Sequence, residues 1–255
     1  MSGRDLPGER SGGRDDGQAG PVRVVLRPMG SPLPLGFLGL AMATTAFAVV
    51  ELRLVSAAQA HIAALAVLLF TAPLQFLVSV LAFLARDPVA GAAMGILSGT
   101  WAVVGAVTLT SAPGTSAPGT SAPGTSAPGT SAPGTADPAL GVVLLTAAAA
   151  MLVPALAGLP KLLAAVVMTI SATRFALTGV YELTASPEWR TAAGVAGLVL
   201  AAAAYYAALA FELEDTHGRA LLPVARLGRA RTALRGDLGD QTKGLAREAG
   251  VRDQL

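Results

Sequence analysis

"HIAALAVLLFTAPLQFLVSVLAFLA", residues 61–85, runs for 25 positions without one Asp, Glu, Lys or Arg. At about 1.5 Å of rise per residue, a helix of this length reaches roughly 38 Å, more than the roughly 30 Å of hydrocarbon in a bilayer. A soluble core has no use for so long a stretch without a charged face. It is read as a membrane span, and the rest of the chain is organised around it.

Five further apolar stretches of comparable length flank it, roughly residues 35–55, 89–110, 140–159, 162–181 and 191–211. Composition agrees: 53% of residues are hydrophobic and 13% charged, against about 25% charged in ordinary soluble domains. Lipid offers no partner to an unpaired backbone group, and the alternation of a barrel strand is missing, so the spans are helices. The expected fold is an all-α integral membrane protein with six transmembrane helices. Cysteine is absent, which removes disulfides, thiolate metal ligands and thiol nucleophiles from consideration.

The basic residues set the orientation. With both termini cytoplasmic, the tails contribute Arg4, Arg10, Arg14, Arg23 and Arg27, then Arg219, Arg226, Arg229, Arg231, Arg235, Lys243, Arg247 and Arg252. The loops at Arg86 and Lys161 fall on the same side, so 15 of 18 basic residues lie inside and only Arg53 and Arg190 lie outside. Positive charge is retained on the cytoplasmic face, which selects this topology. The organisation expected is a disordered cytoplasmic tail over 1–28, a transmembrane domain over 29–223 and a basic cytoplasmic tail over 224–255. Within the domain, a flexible extracytoplasmic loop over 111–138 carries five copies of "SAPGT", whose Pro and Gly oppose a packed element. The Arg-rich, Ala- and Gly-rich composition suggests a bacterial source, and the location expected is the plasma or inner membrane.

Apolar helices approach closely through small residues. Gly91, Gly95 and Gly99 form such a series in the third span, and Gly194 and Gly197 another in the sixth. Thr71, Gln75 and Ser79, four residues apart, put a polar stripe on the second span that either hydrogen-bonds between helices or lines a polar path. Glu51 and Arg53 are read as marking the outer membrane boundary, with His61 close to the same surface; Glu212, Glu214, Asp215, His217 and Arg219 are read as a solvated inner terminus. The basic C-terminal tail has no aromatic platform for nucleic acid and suits anionic lipid headgroups better. No metal-ligand cluster, phosphate loop or nucleophile motif is present, so neither an enzyme nor a cofactor is expected.

The first span opens with "SPLPLGFLGLAMATT", residues 31–45. Pro32 and Pro34 suit a first helical turn, and Ser31 is placed to cap it. This stretch resembles the Asn-Pro-x-Pro-Leu-Gly-Leu signature, with its following Thr pair, of the acetate uptake transporter family, the bacterial succinate–acetate transporters and their fungal relatives. The resemblance runs through Gln75 to "AYYAALAFELEDTHGRALLP", residues 204–223, which is similar to the family's closing Tyr, acidic pair and Gly-Arg-x-x-Leu-Pro. It implies a six-helix protomer in a homohexamer embedded in the lipid bilayer, carrying acetate, succinate or a related small carboxylate anion. Family members are described as proton-coupled transporters (symport) or as anion channels.

The resemblance places the entry motif on Ser31, Pro32, Pro34, Leu35 and Gly36, and three narrow points of the path on Leu40, Ser98 and Ser171, with Thr44 and Gln75 beside them. Ser31 stands where the family has Asn, Ala43 where it has the first Thr, and Ser98 and Ser171 where it has an aromatic residue and a leucine. A scaffold or regulator that kept the fold without transport is the alternative these departures favour.

Arg174 lies three residues after Ser171 and four before Thr178 on one face of the fifth span, where the matching family position is apolar. Facing lipid it would cost about 2.5 to 3.5 kcal/mol or more, so it is expected to face protein or water. It either lines the path and attracts a carboxylate, or is tied to helix-end carbonyls or to Glu182 or Glu51, or snorkels to the interface.

Overall fold

The computed structural model describes residues 30–56, 59–110 and 136–227. The N-terminal tail, the SAPGT repeats and the chain beyond residue 227 lie outside the described residues. Six helices long and apolar enough to cross a membrane are present among those described: α1 (Leu33–Glu51), α2 (Ala60–Leu84), α3 (Pro88–Thr110), α4 (Pro138–Ala157), α5 (Leu162–Thr184) and α6 (Pro187–His217).

Proline marks the starts. Pro34, Pro88, Pro138 and Pro187 all sit in first turns, where a missing N–H costs nothing because that donor has no intrahelical acceptor. Asp137 caps α4 by accepting from the N–H groups of Ala139 (2.9 Å) and Leu140 (3.2 Å). At the entry motif, Pro32 is the cap residue and the Ser31 hydroxyl accepts from Leu33 N–H at 3.4 Å, so the serine supports the turn from one position further out than its expected place.

Pro73 stands in the middle of α2. Its ring would clash with the carbonyl four residues earlier, and the helix answers by widening to a π-turn over Val67–Thr71 before resuming as Ala72–Leu84. α6, at 31 residues, is longer than its apolar core. Its last turns carry Glu212, Glu214 and Asp215, and it ends at Gly218, whose φ of 62° a glycine adopts without strain.

The helices pack in chain order around a closed ring: α1 on α2, α2 on α3, α3 on α4, α4 on α5, α5 on α6, and α6 back on α1. At the α4–α5 crossing the two backbones approach closely. A Cβ on Gly141 would lie 2.9 Å from the Gly179 carbonyl oxygen, and one on Gly179 would lie 3.0 Å from that of Gly141. Gly194 and Gly197 let α6 approach α1, the former against Leu52 and the latter against Ala48.

The Gly91, Gly95, Gly99 series behaves as a helix of 3.6 residues per turn requires. Gly91 meets the Phe83 ring and Gly95 meets Ser79, both on α2, whereas a Cβ on Gly99 would meet nothing within 4 Å. Each four-residue step rotates the face by about 40°, so the third glycine has turned out of the contact.

Outside the ring, Leu69, Phe76, Val153, Leu156 and Val199 are exposed, as an apolar solvent demands. Inside it lie Phe37, Leu40, Met94, Leu97, Trp101, Met151 and Phe175. At one end the Asp87–Lys161 ion pair ties the α2–α3 turn to the α4–α5 turn. Beside it Glu214, buried on α6, pairs with Arg226. Glu214 is therefore not part of a solvated face as its sequence surroundings suggested; its neighbours Glu212, Asp215 and His217 are exposed.

The packed chain also continues past Pro223, where the sequence reading began the tail. Leu162 N–H donates to the Ala225 carbonyl at 3.2 Å and Leu227 N–H to that of Pro160 at 2.9 Å. Val224 is buried beneath this pairing.

Candidate functional site

The interior of the ring is apolar along most of its wall, which makes its polar atoms conspicuous. α1 turns Gly36, Leu40, Thr44 and Glu51 inward, all buried, at spacings that keep them on one helical face. α2 answers with the stripe Thr71, Gln75 and Ser79. Thr71 donates to the Gly39 carbonyl and Gln75 Nε2 to the Gly36 carbonyl, each at 3.4 Å, and Ser79 donates to the Gly91 carbonyl at 2.7 Å. The stripe thus links α2 to α1 and α3 through glycine carbonyls that no side chain shields. Gln75 has a second role open to it, because its Oε1 is buried without a partner.

The three narrow points implied by the resemblance are all interior. Leu40 and Ser171 are fully buried and Ser98 nearly so. Ser98 donates to the Ala72 carbonyl at 2.7 Å, and Ser171 to the Val167 carbonyl one turn back at 2.8 Å. At the entry motif, Pro34 and Gly36 are buried while Ser31 and Leu35 are exposed. Ser31 lines a cavity of about 210 Å³ at the end of the bundle, together with Asp87, Lys161, Glu214 and Arg226. A Cβ on Gly36 would come within 2.7 Å of Met94 Sδ, so the glycine lets α3 pack against the start of α1.

Arg174 is 2% exposed, in the body of α5. Its Nη2 faces both carboxylate oxygens of Glu51, at 3.3 and 3.2 Å, and its guanidinium lies 5.3 Å over the Trp101 ring. Thr178, one turn further along α5, donates to Glu51 Oε1 at 3.3 Å. Glu51, read from the sequence both as a boundary residue and as one possible partner of Arg174, is its buried counter-ion; the α1–α6 packing at Gly194 covers it. Glu182, the other carboxylate considered for Arg174, instead accepts from Asp137 N–H at 2.7 Å and ties the start of α4 to α5. Arg190 donates to the Val50 carbonyl at 3.1 Å and sits over the Tyr181 ring at 5.8 Å, closing the ring at the Glu51 end.

Trp101 is the interior residue that sequence reasoning missed. It lies three residues after Ser98 on the same face of α3, packs against Phe47 and Phe175 at 5.7 and 6.0 Å, and holds the guanidinium over its ring. An aromatic face attracts a cation where hydrocarbon would repel it.

Thr44 Oγ1, Gln75 Oε1, Trp101 Nε1 and Arg174 Nε are all buried with no hydrogen-bond partner among the described residues. Leaving one such group unsatisfied costs about 1–3 kcal/mol, and native interiors contain few of them. Four of the five such atoms among the described residues lie on the inner wall of the ring, and the fifth is Glu214 Oε2 at its end. Thr44 and Arg174 are brought together by Gly197 of α6: a Cβ there would lie 3.0 Å from Arg174 Nε and 3.5 Å from the Thr44 carbonyl.

The fold and sequence have known counterparts. A solved structure of the bacterial acetate channel SatP superposes with a TM-score of 0.64 at 21% identity, covering 77% of this chain and 99% of that one. That likeness establishes the fold. No curated protein sequence matches the chain. The model of the GPR1/FUN34/yaaH family matches residues 15–228, which spans both the entry and the closing motifs and all six helices. The chain belongs to the GPR1/FUN34/yaaH family.

Proposed function

We propose that the chain is a membrane channel or transporter for acetate, succinate or a related small carboxylate, carried through the interior of the six-helix protomer. The observation that carries this reading is the set of unpartnered buried polar atoms at Thr44, Gln75, Trp101 and Arg174, inside a ring whose other buried polar side chains, such as Thr71, Ser79, Ser98 and Ser171, are already hydrogen-bonded. A carboxylate entering hydrocarbon loses its hydration, and the loss is bearable only where fixed donors and positive charge replace the water. Arg174, Thr44 and Trp101 supply donors and Gln75 a polar side chain. Ser98 and Ser171 replace bulk with hydroxyls at two of the narrow points, and Leu40 remains an apolar constriction.

The SatP structure, described as an acetate channel, supports acetate as the first substrate to try. Proton coupling, a homohexameric assembly, residence in the plasma or inner membrane of a bacterium and cytoplasmic termini belong to the same reading. The test is uptake of labelled acetate, lactate and succinate into proteoliposomes under a proton or anion gradient. Uptake above protein-free liposomes, lowered in Arg174→Met, is the expected result. Purified, folded protein that passes none of the three would overturn the reading in favour of a non-transporting scaffold.

A further inference from the structure

Arg174 and Glu51 are buried together, yet their contact is not that of a tight structural ion pair. Charge-assisted N–H···O bonds usually close to about 2.7–2.9 Å, and arginine commonly meets a carboxylate through two nitrogens. Here one nitrogen, Nη2, spans both oxygens at 3.2 and 3.3 Å, while Nε has no partner. Gly197 of α6 packs directly against that nitrogen, where a Cβ would lie only 3.0 Å away.

The neighbouring orphans share a sign. Trp101 Nε1 can only donate, as can Arg174 Nε, and Thr44 Oγ1 has a proton to give. Two of these three atoms can only donate. Glu51 turns both oxygens to Arg174 Nη2 and shares Oε1 with Thr178.

We infer that Glu51 is a tethered competitor for Arg174: a carboxylate built into α1 that neutralises the guanidinium while the site is empty and yields it to an incoming small carboxylate. This deepens the proposed function and rests on its placement of Arg174. The arriving anion brings two acceptor oxygens to the freed Nη2 and to these unpartnered donors. When it leaves, Glu51 re-forms the pair, so the guanidinium is never stranded unpaired in a low-dielectric interior. The competition makes binding weak and release fast, as passage requires.

Trp101 gives a direct readout, because its ring is 5.3 Å from the guanidinium. The protein has two tryptophans, and Trp189→Phe leaves Trp101 as the sole reporter. Purified Trp189→Phe protein is titrated with sodium acetate, with sodium chloride as the ionic-strength control. The expected result is a saturable change in Trp101 emission with acetate alone, absent in Arg174→Met and shifted to about tenfold lower acetate in Glu51→Gln. Glu51→Asp keeps the charge on a shorter stem and is expected to respond at an acetate concentration between those of the parent and Glu51→Gln, which preserves the test if Glu51→Gln does not fold.

A merely structural pair gives the opposite pattern: Glu51→Gln and Glu51→Asp bind acetate no better than the parent, or worse. That result, or a response unaffected by Arg174→Met, overturns the inference while acetate uptake in liposomes can still stand. A titration as expected in protein that passes no acetate leaves the carboxylate site in place and removes transport.

Discussion

Replacing Glu51 and Arg174 by methionine, singly and together, measures how much the buried pair contributes to the fold. The N···O separation of 3.2 Å corresponds to about 5 kcal/mol of attraction at an effective dielectric of about 20. Desolvating both groups consumes most of that gain. The single replacements behave differently, because each strands a charge: Arg174 would keep the Trp101 face, and Glu51 the Thr178 hydroxyl and the more distant charge of Arg190. Each single variant is expected to lose about 3–5 kcal/mol, whereas Glu51→Met/Arg174→Met, with two flexible apolar side chains in the same space, should lie within roughly 1 kcal/mol of the parent. The assay is denaturant-driven unfolding of the purified protein in mixed micelles, followed by tryptophan emission. A double variant as unstable as the sum of the two singles would refute the reasoning, since it would mean that the two side chains are stabilised independently.

Gly141→Ala should cost about 1–3 kcal/mol in the same assay, because its Cβ would meet a backbone carbonyl that cannot swing away; Gly99→Ala, with open space at its Cβ, should be neutral or gain up to about 1 kcal/mol. Arg226→Met strands the buried Glu214 carboxylate and should destabilise by about 3 kcal/mol. Lys161→Met breaks a pair whose side chains are 43% and 22% exposed and should cost less than about 1 kcal/mol. Equal losses for these two would show that burial is not what separates the pairs.

The spans were legible because a bilayer imposes a minimum apolar length that few other structures need. Their ends were less so. The sixth stretch reads as finished at Phe211, where the apolar residues stop, yet α6 continues to His217, because backbone hydrogen bonding persists in water until a residue such as Gly218 turns the chain.

The depth of Arg174 requires that it face protein or water, and leaves Glu51 and Glu182 as two among several possible partners. Its partner lies 123 residues away in sequence, and choosing Glu51 over Glu182 depends on the α1–α6 contact at Gly194 and on the Asp137 N–H that engages Glu182. Glu214 was misread for a related reason: among consecutive polar residues, only the packing of residues 224–227 reveals which one turns inward. The stripe on α2 was visible at its four-residue spacing, whereas its acceptors, the carbonyls of Gly36, Gly39 and Gly91, emerge only when the helices are assembled.

A chain without cysteine permits one direct test of the passage through the ring. Ser98→Cys and Thr44→Cys each place a single thiol on the inner wall, and Leu77→Cys places one on the exposed outer face. A thiol reacts as thiolate, which requires water. In folded protein reconstituted in liposomes, a small anionic methanethiosulfonate is predicted to label the two interior positions, to be slowed there by acetate, and to leave position 77 unlabelled. Interior thiols that stay unreactive, or that react at a rate acetate does not change, would contradict a carboxylate path through the protomer.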